Sequence, residues 1–291
     1  MCPLCQDPAA RVVRCGFFAK SSTRAEKIQR FLCRSCERRF SSQTGTLTYR
    51  ERKPHLTQHT FRLLGEGVSR RGCARVLHVH RTTIARKLVR TGRKAKANLD
   101  AANQRGDIGE VVMFDEMETF EHSKCKPLSI AVAVDKVTRR VIAVEVASMP
   151  AKGRLAAIAR KRYGFRPDQR RAALTRALST VHNAAPRLRE VHSDRCPRYQ
   201  RLVRRHLPNA RHVTSLSRRA CVVGQGEMKR GGFDPLFSLN HTCAMFRDRV
   251  KTLSRRTWCT TKKASMLQHV LYLYAWIHNE RLRTGSAFVS V

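Results

Sequence analysis

Acidic residues are scarce in this chain. Against 59 Lys and Arg, its 291 residues include only 21 Asp and Glu, which leaves a net charge of +38 at pH 7. An ordinary small-molecule enzyme has no use for such a field. A polyanion does, because each phosphate contact releases a counterion and adds a sequence-independent increment of affinity. Codon bias toward Arg would raise the bases without also removing the acids. Long hydrophobic runs are missing as well. No segment approaches the roughly 20 apolar residues of a spanning helix, and no basic stretch followed by an apolar one opens the chain. We therefore expect no membrane partner and a cytoplasmic protein. Internal repeats and low-complexity tracts are absent, which excludes a solenoid. Without a secretory signal, the eleven cysteines read as thiols of a reducing cytosol that bind metal or pack in a core, and their odd number agrees. The length leaves room for two or three domains.

Four of those cysteines stand out by spacing. Cys2-Pro3-Leu4-Cys5 and Cys33-Arg34-Ser35-Cys36 are two CxxC knuckles separated by 27 residues. Such a pair can set four thiolates tetrahedrally around Zn²⁺, which a short segment with little core needs in order to fold. Phe31, Leu32 and Phe40 would pack the small sheets of a zinc ribbon. Unligated, the thiols would have to be buried by a polar, Arg-rich segment that has little with which to bury them. After the ribbon, residues 54–96 read as helical, with Gly67-Val68-Ser69 as a break and cap. Arg70 to Leu77 and Arg81 to Leu88 are spaced as a helix-turn-helix, with Ala74, Val79, Ile84 and Leu88 packing the pair. Thr82, Thr83, Arg86 and Lys87 would then face a DNA groove or its phosphates; the plain alternative is a helical hairpin with solvated charges. Arg90 to Lys96 and Asn98 to Gly106 look like a basic linker, which divides the chain into a ribbon (1–50), a DNA-binding region (51–106) and a third domain (107–291).

Acids inside the third domain are placed unevenly. Six fall between Asp107 and Glu121, and only Glu227, Asp234, Asp248 and Glu280 follow Asp194. The apolar run Val111-Val112-Met113-Phe114 ends in Asp115, and Val191-His192-Ser193 ends in Asp194. Between them lies a hairpin, Leu128 to Val134 and Val141 to Val146, turning at Asp135-Lys136. That order is the opening of an RNase H-like sheet, in which the first acid sits on the central strand and the second arrives beside it after a helix. Two Mg²⁺ ions in such a site normally want three carboxylates, because hard cations prefer charged oxygens and repel one another. Each acid taken singly could instead be a strand-end residue bonded to backbone amides. Trp258 reads as core or as a base-stacking residue, and Met266, Val270, Leu273 and Ile277 form the buried stripe of a last helix.

The knuckles, the helix-turn-helix, the two aspartate strands and the run from Leu236-Phe237-Ser238-Leu239-Asn240-His241 through Arg247-Asp248-Arg249 to Arg255-Arg256-Thr257-Trp258-Cys259-Thr260-Thr261-Lys262-Lys263 resemble bacterial insertion-sequence transposases of the DDE type. They look most like the insertion-sequence-one group. The resemblance implies an α+β multidomain chain: a zinc ribbon, a helix-turn-helix, and an RNase H-like mixed sheet flanked by helices. It implies Mg²⁺ or Mn²⁺ as catalytic cofactor and Zn²⁺ as a structural one. The partners would be the double-stranded DNA of transposon ends and target, in a homo-oligomer at the bacterial nucleoid. Carried over residue by residue, the aspartates fall on Asp115 and Asp194, the third acid on Asn240, and the following basic residue on Arg247, two helical turns later. Arg255, Arg256, Lys262 and Lys263 become backbone clamps. Asn240 departs from the family pattern. It leaves three readings: an Asp-Asp-Asn variant, a third acid elsewhere such as Glu227, or a decayed copy surviving as a non-catalytic DNA-binding repressor.

Overall fold

The computed structural model describes residues 1–20, 23–216, 228–229, 232–254, 258–286 and 289, and the chain divides into two compact units, Met1–Thr57 and Gln58–Val291. In the first unit β1 (Val12–Lys20), β2 (Thr23–Cys33) and β3 (Arg39–Ser41) form an antiparallel sheet in that order. Phe31 and Phe40 pair across β2 and β3 with their rings stacked 5.3 Å apart. That aromatic pair substitutes for the larger core that so short a segment cannot build.

Three helices follow: α1 (Leu56–Gly65), α2 (Arg70–Val76) and α3 (Arg81–Asn103). Ser69 caps α2 by accepting the Gly72 N–H at 3.1 Å, and the His80 ring caps α3 by accepting the Thr82 N–H. The expected pair of helices is present, but the second runs far beyond Leu88 and takes up the stretch read as a linker. Its reason is a buried stripe, Leu88, Thr91, Gly92, Ala95 and Leu99, at the spacing of one helical face. This stripe packs against the last helix, Ala264–Thr284. Phe61, Ile84 and Leu88 share one buried cluster with Leu273 and Ile277 of that helix, so the DNA-binding region expected over 51–106 is built largely into the second unit.

The sheet of the second unit has the order β6-β5-β4-β7-β8. Its members are β4 (Val111–Phe120), β5 (Pro127–Asp135), β6 (Val141–Ser148), β7 (Glu190–Asp194) and β8 (Arg211–Ser215). The β6-β5-β4 half is antiparallel, as the hairpin signal indicated, and β4-β7-β8 is parallel. A parallel neighbour needs a crossover, supplied by α4 (Leu155–Tyr163) and α5 (Arg170–Ala184) before β7 and by α6 (Pro197–His206) before β8. A two-residue hairpin, β9 (Met228–Lys229) and β10 (Gly232–Phe233), then leads to α7 (Phe237–Arg249) and to the last helix, α8.

Alternation along β4 sorts the two faces. Met113 and Met117 pack with Leu239, Phe246 and Leu271 of α7 and α8, whereas Val112 and Phe114 pack with Leu174, Val181 and Tyr199 of α5 and α6. β4 does not end at Asp115 as its apolar run suggested; it pairs with β5 to Phe120. Its polar second half is tolerated because β7 stops at Asp194, so beyond that point β4 has no neighbour on that side and Glu116 and Glu118 find cations instead. No helix among the described residues is long and apolar enough to cross a membrane.

Gly92 sets how closely α3 lies on α8. A Cβ there would stand 2.7 Å from His269 Cβ and 2.8 Å from its carbonyl oxygen, backbone that cannot swing aside. Gly92→Ala should therefore destabilise the protein by about 1–3 kcal/mol through overpacking, against the gain expected of Ala in an ordinary helix. Denaturant unfolding checks it; a stabilised variant would show that the two helices are free to part.

Candidate functional site

Two clusters carry chemistry. In the first unit the Sγ atoms of Cys2, Cys5, Cys33 and Cys36 all lie within 4.8 Å of one another, with Cys2 and Cys36 at 3.8 Å and Cys5 and Cys33 at 3.9 Å. Thiolates at about 2.3 Å from a tetrahedral ion stand about 3.8 Å apart, so the set fits zinc. Cys33 is drawn down to about 7, first by the Cys36 backbone N–H. A thiolate is thus accessible near neutrality, and zinc needs that form.

In the second unit the register of β4 with β7 runs Val111 to Glu190, Val112 to Val191 and Met113 to His192. Continued by two residues, it sets Asp115 level with Asp194 at the point where β7 ends. Neither has an ion pair among the described residues, although most nearby acids do: Glu116 with Arg198, Glu118 with Lys152, Glu121 with Lys126, Glu190 with Arg211. Each aspartate has one tethered oxygen. Asp115 Oδ1 accepts the Glu116 N–H at 2.7 Å and the Tyr199 hydroxyl at 3.0 Å, and Asp194 Oδ1 accepts the Cys196 N–H at 3.0 Å. The other oxygen of each accepts no hydrogen bond from the described residues.

Burial first, and then the Asp194 charge, push the Asp115 carboxyl up to about 6 against the two hydrogen bonds that lower it. Burial and the Asp115 and Glu116 charges push the Tyr199 phenol well above its ordinary value, so it remains a donor. A buried carboxylate raised in part by the charge of a second one beside it, in a protein of net charge +38, is part of a donor set suited to a hard divalent cation.

α7 packs on β4 and β5. Its buried Cys243 thiol is pushed up to about 12, first by burial; Arg247 opposes the rise and Asp115 adds to it, which ties this face of α7 to the aspartate. Asn240 and Arg247 flank Cys243 on that face at i−3 and i+4. The Asn240 Nδ2 donates to Asp234 Oδ2 at 2.7 Å. A carboxylate only accepts, so the amide nitrogen must face Asp234 and the amide oxygen faces away. Asp234 is buried and also accepts the Leu236 N–H. Of the four late acids, Asp248 and Glu280 pair with Arg249 and Arg283, and Glu227 lies outside the described residues. Tyr199 carried no sequence signal, being an aromatic in an amphipathic helix, and Asp234 was visible only as one of those four acids.

The residues expected to contact DNA divide by burial. Thr82 and Arg86 are exposed and Thr83 is half-buried, but Lys87 is only 3% exposed. It stands next to Leu88 on the face of α3 that packs inward, so it does not belong with the groove-facing set. Lys262 and Lys263 are exposed, and Arg255 and Arg256 lie outside the described residues. Trp258 is fully exposed and not core, whereas Leu273 and Ile277 are buried as the stripe required, with Met266 and Val270 partly so.

No family model and no curated protein matches the chain. Among solved structures it is similar to the catalytic domain of the Mos1 mariner transposase, with 16% identity and a TM-score of 0.33 over 70% of this chain and 96% of that one. It is also similar to that transposase's paired-end complex with Mn, at 12% identity, and to the paired-end complex with the left transposon end, at 13%. Each of these has a TM-score of 0.31 over 74% of this chain and 72% of the other. A likeness this distant decides neither fold nor chemistry.

Two expectations follow. Cys33→Ser should lower bound zinc from about one per chain to none by metal analysis, and a folded, reduced sample without zinc would remove the ribbon. Asp115 has a folded value near 6, above its ordinary one. The stability tied to its neutral form is therefore complete below about pH 4 and lost as the pH rises through 6. In metal-free protein, Asp115→Asn should raise Tm at pH 7.5, reflecting on the order of 1–3 kcal/mol, and change it little at pH 4. An equal shift at both values would mean the carboxylate is not strained by burial and Asp194.

Proposed function

We propose that this chain is a DNA transposase of the DDE kind, with an RNase H-like catalytic part, an N-terminal zinc ribbon and a helix-turn-helix reading head. The observation that carries the reading is the level pair Asp115 and Asp194 on adjacent parallel strands, without a cation partner among the described residues of a strongly basic protein. Asp115, Asp194 and the amide oxygen of Asn240 hold Mg²⁺ or Mn²⁺ in this reading. Bound there, the ions supply an activated nucleophile and stabilise the leaving oxygen.

The protein's own part is positioning. Tyr199 and the Cys196 N–H hold one oxygen of each aspartate and so set the direction of the other. Asp234 does the same for Asn240 and polarises its amide, which offsets part of the charge that a neutral ligand lacks. Arg247 holds a phosphate of the strand being cut. Water adds to phosphorus at the transposon end, and the bridging oxygen leaves as a 3′-hydroxyl. That hydroxyl then attacks a target phosphodiester and displaces the target strand's own 3′-oxygen, with no covalent protein-DNA intermediate. The ribbon with Thr82, Thr83 and Arg86 reads the inverted repeats, and holding two ends together calls for a dimer or a larger assembly.

Asp115→Ala and Asp194→Ala should abolish Mg²⁺-dependent cleavage and joining of inverted-repeat DNA while leaving binding intact by mobility shift. Asn240→Ala should match them, Asn240→Glu should retain activity, and Asp234→Asn should lose about 10–100-fold in metal affinity or rate. One specific feature favours a second reading, a DNA-binding repressor: the third ligand is neutral. An unmutated protein that binds its ends but never cuts them in Mg²⁺ or Mn²⁺ would establish that alternative.

A further inference from the structure

A groove of about 610 Å³ opens between α2, the start of α3, residues 250–252 after α7 and residues 258–263 before α8. Arg70, Arg71, Arg75 and Arg81 line one side. Lys251, Lys262 and Lys263 line the other. Among the described residues none of the seven has a carboxylate partner, although Glu66 nearby is taken up by Arg249 and Arg281. Between the cations the lining is apolar, with Leu64, Val68, Met266 and Val270. At the rim stands Trp258, its indole fully exposed.

We infer that this groove binds unpaired nucleotides, with Trp258 stacking on a base and the flanking Arg and Lys holding the backbone. The inference rests on the nucleic-acid reading above and adds the strand state. Seven uncompensated cations ask for a polyanion. An acidic peptide would satisfy the charge but offers nothing flat to an exposed indole or to the apolar lining. A duplex offers phosphates, yet its base faces are covered by their own stacking. An unpaired strand presents both groups at once, and a groove of this volume admits about one or two nucleotides by the usual scale of ligand sites. The two sides come from parts of the sequence that were read separately, the helix-turn-helix and the basic run before α8. Unpaired DNA engaged here lies against the reading head.

The test uses the full zinc-loaded chain carrying Trp276→Phe, so that Trp258 is the one indole left. Binding of a short oligo-dT, a blunt duplex and a duplex with a 3′ overhang is followed by tryptophan fluorescence and by anisotropy at two salt concentrations. The expected result is quenching by oligo-dT and by the overhang but not by the blunt duplex. Trp258→Ala, read by anisotropy, should weaken oligo-dT about 10-fold or more and leave blunt-duplex affinity and Tm unchanged, with Trp258→Phe in between. Lys262→Ala with Lys263→Ala should lower the salt slope by about 0.7 for each lost contact on the single strand. Equal quenching by blunt duplex, equal losses on both DNAs, or full competition by poly-glutamate would overturn the inference and leave only a basic surface. Because Asp115→Ala removes cleavage without touching this groove, quenching that persists in that variant separates the groove from the catalytic reading. An inactive unmutated protein that still prefers the overhang would sink the transposase and keep the site.

Discussion

Two carboxylates that repel one another can be held level only if the strands carrying them cannot slide. The parallel pairing of β4 with β7 is that constraint. It is short, three paired residues before Asp115, and parallel ladders are slightly weaker per residue than antiparallel ones. The strands are fixed from outside the ladder instead. Val112, Phe114 and Val191 are clamped by α5 and α6, and Met113 and Met117 by α7 and α8. A slip of one residue would turn each of these side chains to the wrong face. The unfavourable closeness of Asp115 and Asp194 is therefore sustained by hydrophobic burial on both sides of the sheet, and the acids contribute nothing to it.

Much of this was legible in the sequence because it rests on local pattern. The knuckles, the hairpin at Asp135, the two aspartate strands and the stripe from Met266 to Ile277 are all spacing signals. What failed to show was what depends on a partner distant in sequence. Lys87 looked like a groove contact because charge is normally solvated, yet it is 3% exposed, beside Leu88 on the inward face of α3. The basic residues after Leu88 looked like a linker because the small residues Thr91, Gly92 and Ala95 are weak apolar signals; they matter only once a second helix lies against them. Trp258 could be core or a base-stacking residue on its sequence alone, and its full exposure excludes the core.

Asn240 shows the same limit at the site. In sequence it is a loss of charge. In three dimensions it is one half of an amide-carboxylate pair, whose acid, Asp234, lies six residues earlier in the turn that opens α7. Neither residue alone announces the pair, because an Asp before a helix is ordinarily a cap; here Asp234 instead accepts the N–H of Leu236, the residue that precedes α7. The pairing leaves the amide with a single orientation, which a lone Asn on a helix surface would not have.

The length of α3 has a mechanical consequence. Its 23 residues make a rod about 35 Å long at 1.5 Å per residue, with Thr82 and Arg86 at one end. At the other, Asn103 donates to the Ile142 carbonyl of β6 at 3.0 Å. Along much of its span it is bolted to α8. In the proposed reading, a torque applied by DNA at the first turn of the rod is therefore delivered to the sheet with little lost to bending, and the lever arm is of the same order as one turn of a double helix.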